Sequence, residues 1–497
     1  MNALQNHLND SNVANWCIAG TEMNTPEIVN AASRMRDILS RQRDAFLRDG
    51  PPTLKQRKAD LLKLKVAILA RQGEIEKALR EDFGHRSTHE TALAELLPVI
   101  AGVDYQRKHM RQWMRPEKRH VPMQFQPARA WVSCQPLGVI GIISPWNFPL
   151  GLALMPLATA IAAGNRAMIK PSEFTPASSA LLVKMIGETF AQDQVAVLTG
   201  DAAVGQDFAA LPFDHLVFTG STPVGRAVMK AASENLVPVT LELGGKSPVI
   251  IEKGHPMKHA ATSIAFGKLS NSGQICIAPD YVMVHEEEVE LFLNTYDQAV
   301  RALYPDGPTG DDYTSIINER QYARLQAMLD DARSKGAKVH EVGVNASEAH
   351  RRMHNLAPAV VTGVTGDMRI MQEEIFGPIL PVLAYREFAE AIAYVNAHPR
   401  PLALYFFGGN GPNRRKVLSL TTSGNVTINN TLAHYLADDL PFGGVGPSGM
   451  GAYHGVEGFK ALSHSKGIFQ QGTWNLSELI LPPFGSVANL IVKAMLR

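Results

Sequence analysis

Cys276 lies in the run Gly273-Gln-Ile-Cys-Ile-Ala-Pro279. A thiol set among small and apolar residues is the type of group that forms covalent acyl intermediates once a thiolate is available. An isolated cysteine is also a common inert core residue, so the chemistry needs partners. Upstream stands Glu242, in Leu241-Glu-Leu-Gly-Gly-Lys246. A carboxylate flanked by leucines is expected to be at least partly buried, and must then be paired or tuned as a proton acceptor. Asn147, in Pro145-Trp-Asn-Phe-Pro149, carries an amide that can stabilise an oxyanion, although an Asn in such a turn also caps its own backbone.

A second group of residues has the chemistry of nucleotide binding. Phe218-Thr-Gly-Ser-Thr-Pro-Val-Gly225 follows a strand candidate and opens a helical stretch, so Gly220 and Ser221 can offer backbone amides to a phosphate at a helix amino end. The spacing is not Gly-x-Gly-x-x-Gly, and a tight turn alone would also explain the glycines. In Ile169-Lys-Pro-Ser-Glu173, Lys170 and Glu173 follow another strand candidate, where ligands of open α/β sheets sit. The acid would accept hydrogen bonds from ribose hydroxyls and repel a 2′-phosphate, which the lysine would attract; ordinary surface charge is the alternative.

The elements that position these groups follow from periodicity. Leu54 to Asp82 mixes Leu61, Leu62, Val66, Leu69, Ile75 and Leu79 with charges, which predicts amphipathic helical scaffold. Apolar runs of strand length then alternate with helical segments: Val139 to Ile143, Ala167 to Ile169, Val195 to Leu198 and His215 to Phe218. After Lys246 the alternation resumes at Val249 to Ile251, Tyr281 to Val284, Ala359 to Val361 and Ile379 to Val382. Two α/β lobes of parallel β-α-β units result, with the cleft between them as the default ligand site.

Composition narrows the partners. With 48 Lys plus Arg against 47 Asp plus Glu, no long-range field favours nucleic acid, and a small molecule fits better. Cys17, Cys134 and Cys276 are too few and too dispersed for a disulfide framework or a clustered metal site, so no metal is expected and a cytoplasmic setting is. The polar stretch from Met1 to Thr25 has no signal-peptide pattern and is expected to be a mobile arm. Leu479 to Leu496 is largely apolar but broken by Pro482, Pro483 and Gly485. It is expected to pack on its own protein, with weak peripheral membrane contact as the alternative.

Seven blocks in register carry a resemblance: Pro145 to Pro149, Lys170 to Glu173, Phe218 to Gly225, Glu242 to Pro248, Gly273 to Cys276, Glu374-Ile-Phe-Gly-Pro378, and Pro441 to Gly449. From about Leu54 to Lys466 the chain resembles the aldehyde dehydrogenase superfamily. Within it, Ser270-Asn-Ser-Gly-Gln274, Ala278-Pro-Asp-Tyr281 and Gly449-Met-Gly-Ala-Tyr-His-Gly455 resemble the class 3-like branch and bacterial coniferyl aldehyde dehydrogenases.

The resemblance implies Cys276 as nucleophile, Glu242 as base for the deacylating water, and Asn147 with the Cys276 amide as oxyanion hole. It implies NAD as cofactor, with NADP possible: Lys170 and Glu173 on the adenosine ribose, Gly220, Ser221 and Gly225 around the pyrophosphate, Glu374 on the nicotinamide ribose and Phe376 near the nicotinamide. It implies an α/β fold with a Rossmann-type NAD(P)-binding domain (51–119 and 138–243), a catalytic domain (244–427) and a β oligomerisation arm (120–137 and 428–466) that joins a homodimer. These stand between an amino-terminal arm (1–50) and a carboxy-terminal tail (467–497). The expected substrate is an aromatic or α,β-unsaturated aldehyde such as coniferaldehyde, oxidised to the acid through a Cys276 thioester. Medium-chain aliphatic aldehydes are the near rival. Acyl transfer to coenzyme A is a closer rival than a cysteine hydrolase or a non-catalytic homologue, and is disfavoured because Glu242 is present to activate water.

Overall fold

The computed structural model describes residues 26–343, 354–473 and 476–496; the anticipated mobile arm, 1–25, lies outside them. The rest of the segment set aside as an arm is part of the first lobe. Helix Pro26–Asp49 buries Met35, Ile38 and Leu39 with Val139, Met168 and Leu216 of a central sheet. Its Gln42 amide donates to the carbonyls of Ala167 at 3.1 Å and Gln192 at 3.0 Å. The helical scaffold read over Leu54 to Asp82 is two helices, Leu54–Leu69 and Gln72–Phe83. Thr53 and Gln56 form a reciprocal capping box at its start.

The first sheet has six strands in the order Gly449–Met450, Val239–Glu242, His215–Thr219, Val139–Ile143, Arg166–Lys170, Val195–Val197. The last five are parallel and Gly449–Met450 is antiparallel. Helices cover both faces, which is why these strands read as continuous apolar runs. Helix Gly151–Ala163 is buried along its whole length, consistent with its lack of a polar face, and ends on Gly164 in the left-handed region.

The second sheet runs Lys338–Glu341, Ala359–Thr362, Ile379–Tyr385, Tyr281–His285, Pro248–Ile251, Ala403–Phe407, Asn425–Ile428. Only its pairing with Lys338–Glu341 is antiparallel. A separate three-stranded antiparallel sheet joins Glu117–Arg119, Arg129–Pro136 and Ser463–Gln470. Residues 428–462, expected in this arm, instead return to the body of the molecule, where Gly449 pairs with Glu242 and Met450 with Leu241. Gly449 adopts φ +136°, and a Cβ there would stand 2.1 Å from the Leu241 carbonyl oxygen, so a side chain would prevent this return.

The tail departs from expectation. Turn Leu476–Ile480 rests on Met123–Phe125 of the arm. Helix Ser486–Met495 buries Ala488 but leaves Val487, Leu490 and Val492 exposed, Leu490 by 70%. Among the described residues its apolar face has no complement. No helix among the described residues is long and apolar enough to cross a membrane.

Candidate active site

Five of the residues singled out from sequence lie at or just beyond the carboxyl ends of adjacent parallel strands. Ile143 is in register with both Lys170 and Phe218, Phe218 with Leu241, and Thr219 with Glu242. That row places Lys170, the turn leading to Asn147, the Gly220-Ser221 turn and Glu242 along one edge of the first sheet, the usual ligand edge of such sheets.

Lys170 is buried, not a surface charge. Its ammonium donates to the Pro171 carbonyl at 3.0 Å and to the exposed Glu173 carboxylate at 3.3 Å, and burial lowers its pKa. Ser221 caps helix Thr222–Ser233 without a side-chain bond to the first turn, which leaves amides there for an anion. Gly225 lies further along the same helix. It is buried one turn in, and a Cβ would lie 2.5 Å from Leu243 Cδ2, so its bareness lets the helix close on the neighbouring strand.

Glu242 ends its strand with its side chain shut away from solvent, 3% of the residue being exposed. Neither carboxyl oxygen has a hydrogen-bond partner among the described residues, and burial raises its pKa well above the carboxylate range. Unpartnered buried carboxyls are costly, and such groups cluster at reactive sites. Cys276 stands nearby, partly buried, in the loop between helix Met257–Leu269 and strand Tyr281–His285. Its thiol pKa is raised by burial, then by Glu374 and Glu242, against the pull of the Cys276 and Ile277 amides.

Glu374 approaches from the second lobe. A Cβ on Gly244 would lie 2.0 Å from Glu374 Oε2, so this glycine makes room for the carboxyl. Burial and then Asp280 raise the Glu374 pKa to about 8. The turn beyond it is held by Arg324, whose guanidinium donates to the carbonyls of Glu374 at 3.2 Å and Ile375 at 2.6 Å, and by the Ile375 amide donating to Asp280 at 2.9 Å. Phe376 has φ +50°, a conformation costing about 1–3 kcal/mol for a non-glycine residue. Its ring meets Trp146 edge-on at 5.4 Å, so the two lobes touch beside Asn147.

Asn147 is buried, and its side-chain amide donates to the Gln274 carbonyl at 3.0 Å. Its own carbonyl accepts from Arg86 and from the Asn271 side chain, each at 3.1 Å. The loop leading to Cys276 passes through three successive positive-φ residues, Asn271, Ser272 and Gly273. Gln274 supports it by donating to the carbonyls of Asn271 and Ser315 and accepting from the Ile317 amide, all at 3.0 Å. Sequence reading passed over two further contributors. The Glu90 carboxylate accepts from the Asn271 amide at 2.8 Å and from the Thr314 hydroxyl, and Arg86 is buried against Glu95 at 3.5 Å. Arg86 lies between two helices and Glu90 at the end of a short one, and only the contacts distinguish them from surface charges.

On its other side Cys276 packs against a cluster containing Tyr405, Phe442 and Tyr453, with Tyr435 partly buried beside it. The Tyr405 hydroxyl donates to the Ile277 carbonyl. An aromatic wall thus adjoins the thiol.

Comparison with known proteins agrees with this arrangement. The aldehyde dehydrogenase family model matches residues 25–468, starting well before the Leu54 at which the sequence resemblance began. A probable coniferyl aldehyde dehydrogenase of Pseudomonas aeruginosa is 49% identical, across 94% of this chain and 97% of its own length. A coniferyl aldehyde dehydrogenase from a Pseudomonas species is 44% identical over the same shares. Among solved structures, Staphylococcus aureus AldH in a substrate-bound state superposes with a TM-score of 0.88 at 36% identity, covering 93% of this chain and 99% of that one. A thiol, a buried carboxyl and an amide gathered at the edge of a parallel sheet therefore belong to a member of the aldehyde dehydrogenase family.

Proposed function

We propose that the chain oxidises an aromatic or α,β-unsaturated aldehyde, coniferaldehyde among the candidates, to the carboxylic acid with NAD, or less readily NADP. The observation that carries the mechanism is the meeting of Cys276 with a buried Glu242 whose carboxyl oxygens have no hydrogen-bond partner among the described residues. The Cys276 thiolate attacks the aldehyde carbonyl. The side chain of Asn147 and the Cys276 amide donate to the resulting oxyanion. After oxidation to the thioester, Glu242 takes a proton from the attacking water and the acid is released.

The chain's residues fit a dinucleotide. The buried Lys170 with its Glu173 partner suits ribose hydroxyls, the open amino end at Ser221 suits a pyrophosphate, and Glu374 and Phe376 border the thiol where a nicotinamide would lie. Bound there, the cofactor supplies the hydride acceptor. The aromatic wall beside Cys276 supports a flat, conjugated substrate, as does the likeness to coniferyl aldehyde dehydrogenases. An aldehyde panel assayed with each cofactor, read by absorbance of reduced nicotinamide, tests this. Coniferaldehyde should exceed acetaldehyde in kcat/KM, and the reverse order would remove the substrate assignment while leaving the reaction.

We further assign the first sheet to the cofactor-binding domain and the second to the catalytic domain. Helix Pro26–Asp49 belongs with the first. The three-stranded arm is assigned to subunit contact, in the cytoplasm. Strand Ser463–Gln470 is an exposed edge with Phe469 outward, the kind of edge a partner covers. The tail beside it brings its uncovered apolar face to the same region. A solution mass of twice the 54.1 kDa chain is expected, and a monomer, or binding to lipid vesicles without dimerisation, would count against this assignment.

A further inference from the structure

We infer that Arg86 and Glu95 form a buried clamp that positions Asn147 against Cys276. The inference rests on the reading of Asn147 as an oxyanion donor. Asn147 begins the four residues that lead into helix Gly151–Ala163, and the clamp holds the first of them and the helix start that follows the last. At the first end, Arg86 Nη1 donates to the Asn147 carbonyl at 3.1 Å, and its guanidinium lies over Phe148 at 4.9 Å with Phe83 at 4.7 Å. At the far end, Glu95 Oε2 accepts from the Gly151 amide at the amino terminus of the helix, where a carboxylate is favoured. Arg86 and Glu95 stand 3.5 Å apart with side chains fully buried.

The local fold has been bent to allow this. Residues five apart on an α-helix point about 140° from one another, so Glu90 and Glu95 would face different ways. Thr91–Leu96 is a π-helical turn, whose wider winding brings such residues towards one side. Glu90 therefore reaches the Asn271 amide of the cysteine loop while Glu95 reaches the Gly151 amide of the asparagine turn. One irregular turn thus holds both halves of the oxyanion hole. Arg86 Nε and Nη2 and Glu95 Oε1 make no hydrogen bond among the described residues. A group kept only for stability would more readily be replaced by a well-packed apolar pair, because a buried ion pair adds little net stability.

The test uses the full-length enzyme carrying Arg86→Met with Glu95→Gln, which removes both charges together. Three quantities are followed: the burst rate of reduced nicotinamide, the rate of Cys276 alkylation by iodoacetamide, and NAD affinity from protein fluorescence. Alkylation is a displacement with no oxyanion, so it reports the thiol without the amide. The burst should slow about 10- to 100-fold, approaching the loss of one oxyanion donor, while alkylation and NAD affinity stay within about twofold. In an Asn147→Ala background the same changes should cost less than about threefold further, because both act through one group. Arg86→Lys, retaining a cation, should recover part of the burst, and it gives the same comparison against Arg86→Met if the paired variant does not fold. An unchanged burst, or an equal fall in burst and alkylation, overturns the clamp. A wild-type burst from Asn147→Ala alone would instead overturn the oxyanion reading, and the clamp with it.

Discussion

The two sheets bring chemistry to the cleft from opposite strand ends. The first offers the carboxyl ends of its strands, followed by Asn147, Lys170, Gly220 and Glu242. The second offers amino ends: Cys276 precedes strand Tyr281–His285, and Glu374 and Phe376 precede Ile379–Tyr385. After three of these ends, those leading to Asn147, Lys170 and Gly220, the following turn is short and enters a helix whose free amides already favour anions. At an amino end the preceding loop has no such guide and must be held from outside. The loop before Cys276 is held by Glu90, Asn147, Thr314, Ser315 and Ile317, none of them its neighbour in sequence. A group placed by its own sheet should fail locally when changed, whereas a group placed by remote bonds should fail when those bonds are cut.

The largest effect is expected at Cys276. Cys276→Ala should abolish both the burst of reduced nicotinamide and steady turnover while NAD binding, followed by fluorescence, survives; any residual dehydrogenase turnover would end the thioester mechanism. Glu242→Gln keeps the volume and removes the base. The first turnover should still give about one reduced nicotinamide per site while steady turnover falls about 10²-fold or more. Intact-protein mass spectrometry should then find an acyl adduct on Cys276, and wild-type turnover would remove Glu242 from its role.

The contrast between the lobes is sharpened by Gln274→Ala. This change cuts three bonds at once and leaves buried partners unsatisfied, at about 1–3 kcal/mol for each orphaned group. Thermal unfolding should shift down by several degrees, and Cys276 alkylation should change although the thiol itself is untouched. An unaltered alkylation rate would mean that the cysteine loop holds itself. The smallest effect belongs to the first lobe. Glu173→Gln removes an exposed charge from Lys170 and should move the NAD to NADP ratio of kcat/KM towards NADP by a few-fold, with stability within about 0.5 kcal/mol. An unchanged ratio would show that Glu173 does not discriminate.

What could be read from sequence follows the same division. The strands, the phosphate turn and the Lys170 and Glu242 positions announce themselves because each motif is contiguous and its periodicity fixes its register. Cys276 could be named but not placed, since its loop is shaped by left-handed residues that no propensity favours at Asn271 and Ser272. Arg86, Glu90 and Glu95 escaped notice because a charged stretch beside a helix is usually solvated, and a π turn has no sequence signature of its own. Gly225, expected beside the cofactor, also stands close to Leu243. Spacing alone cannot tell a glycine that admits a ligand from one that admits a side chain.

The pairing of Glu242 with Gly449 orders events in time. Strand Val239–Glu242 leaves the ribosome long before Gly449–Met450, and until that late strand arrives the sheet ends in an unpaired edge beside Glu242. Domains generally begin to fold during synthesis, from the amino-terminal side. The first lobe can therefore collapse early, with the edge proposed to hold the cofactor assembled, yet the strand that ends in Glu242 stays open on one side until almost the whole chain has emerged. A nascent chain stalled before Gly449 would retain an open, aggregation-prone sheet edge and an unsealed Glu242. The last strand of this sheet to be made closes it beside the residue proposed to activate the water that releases the acid.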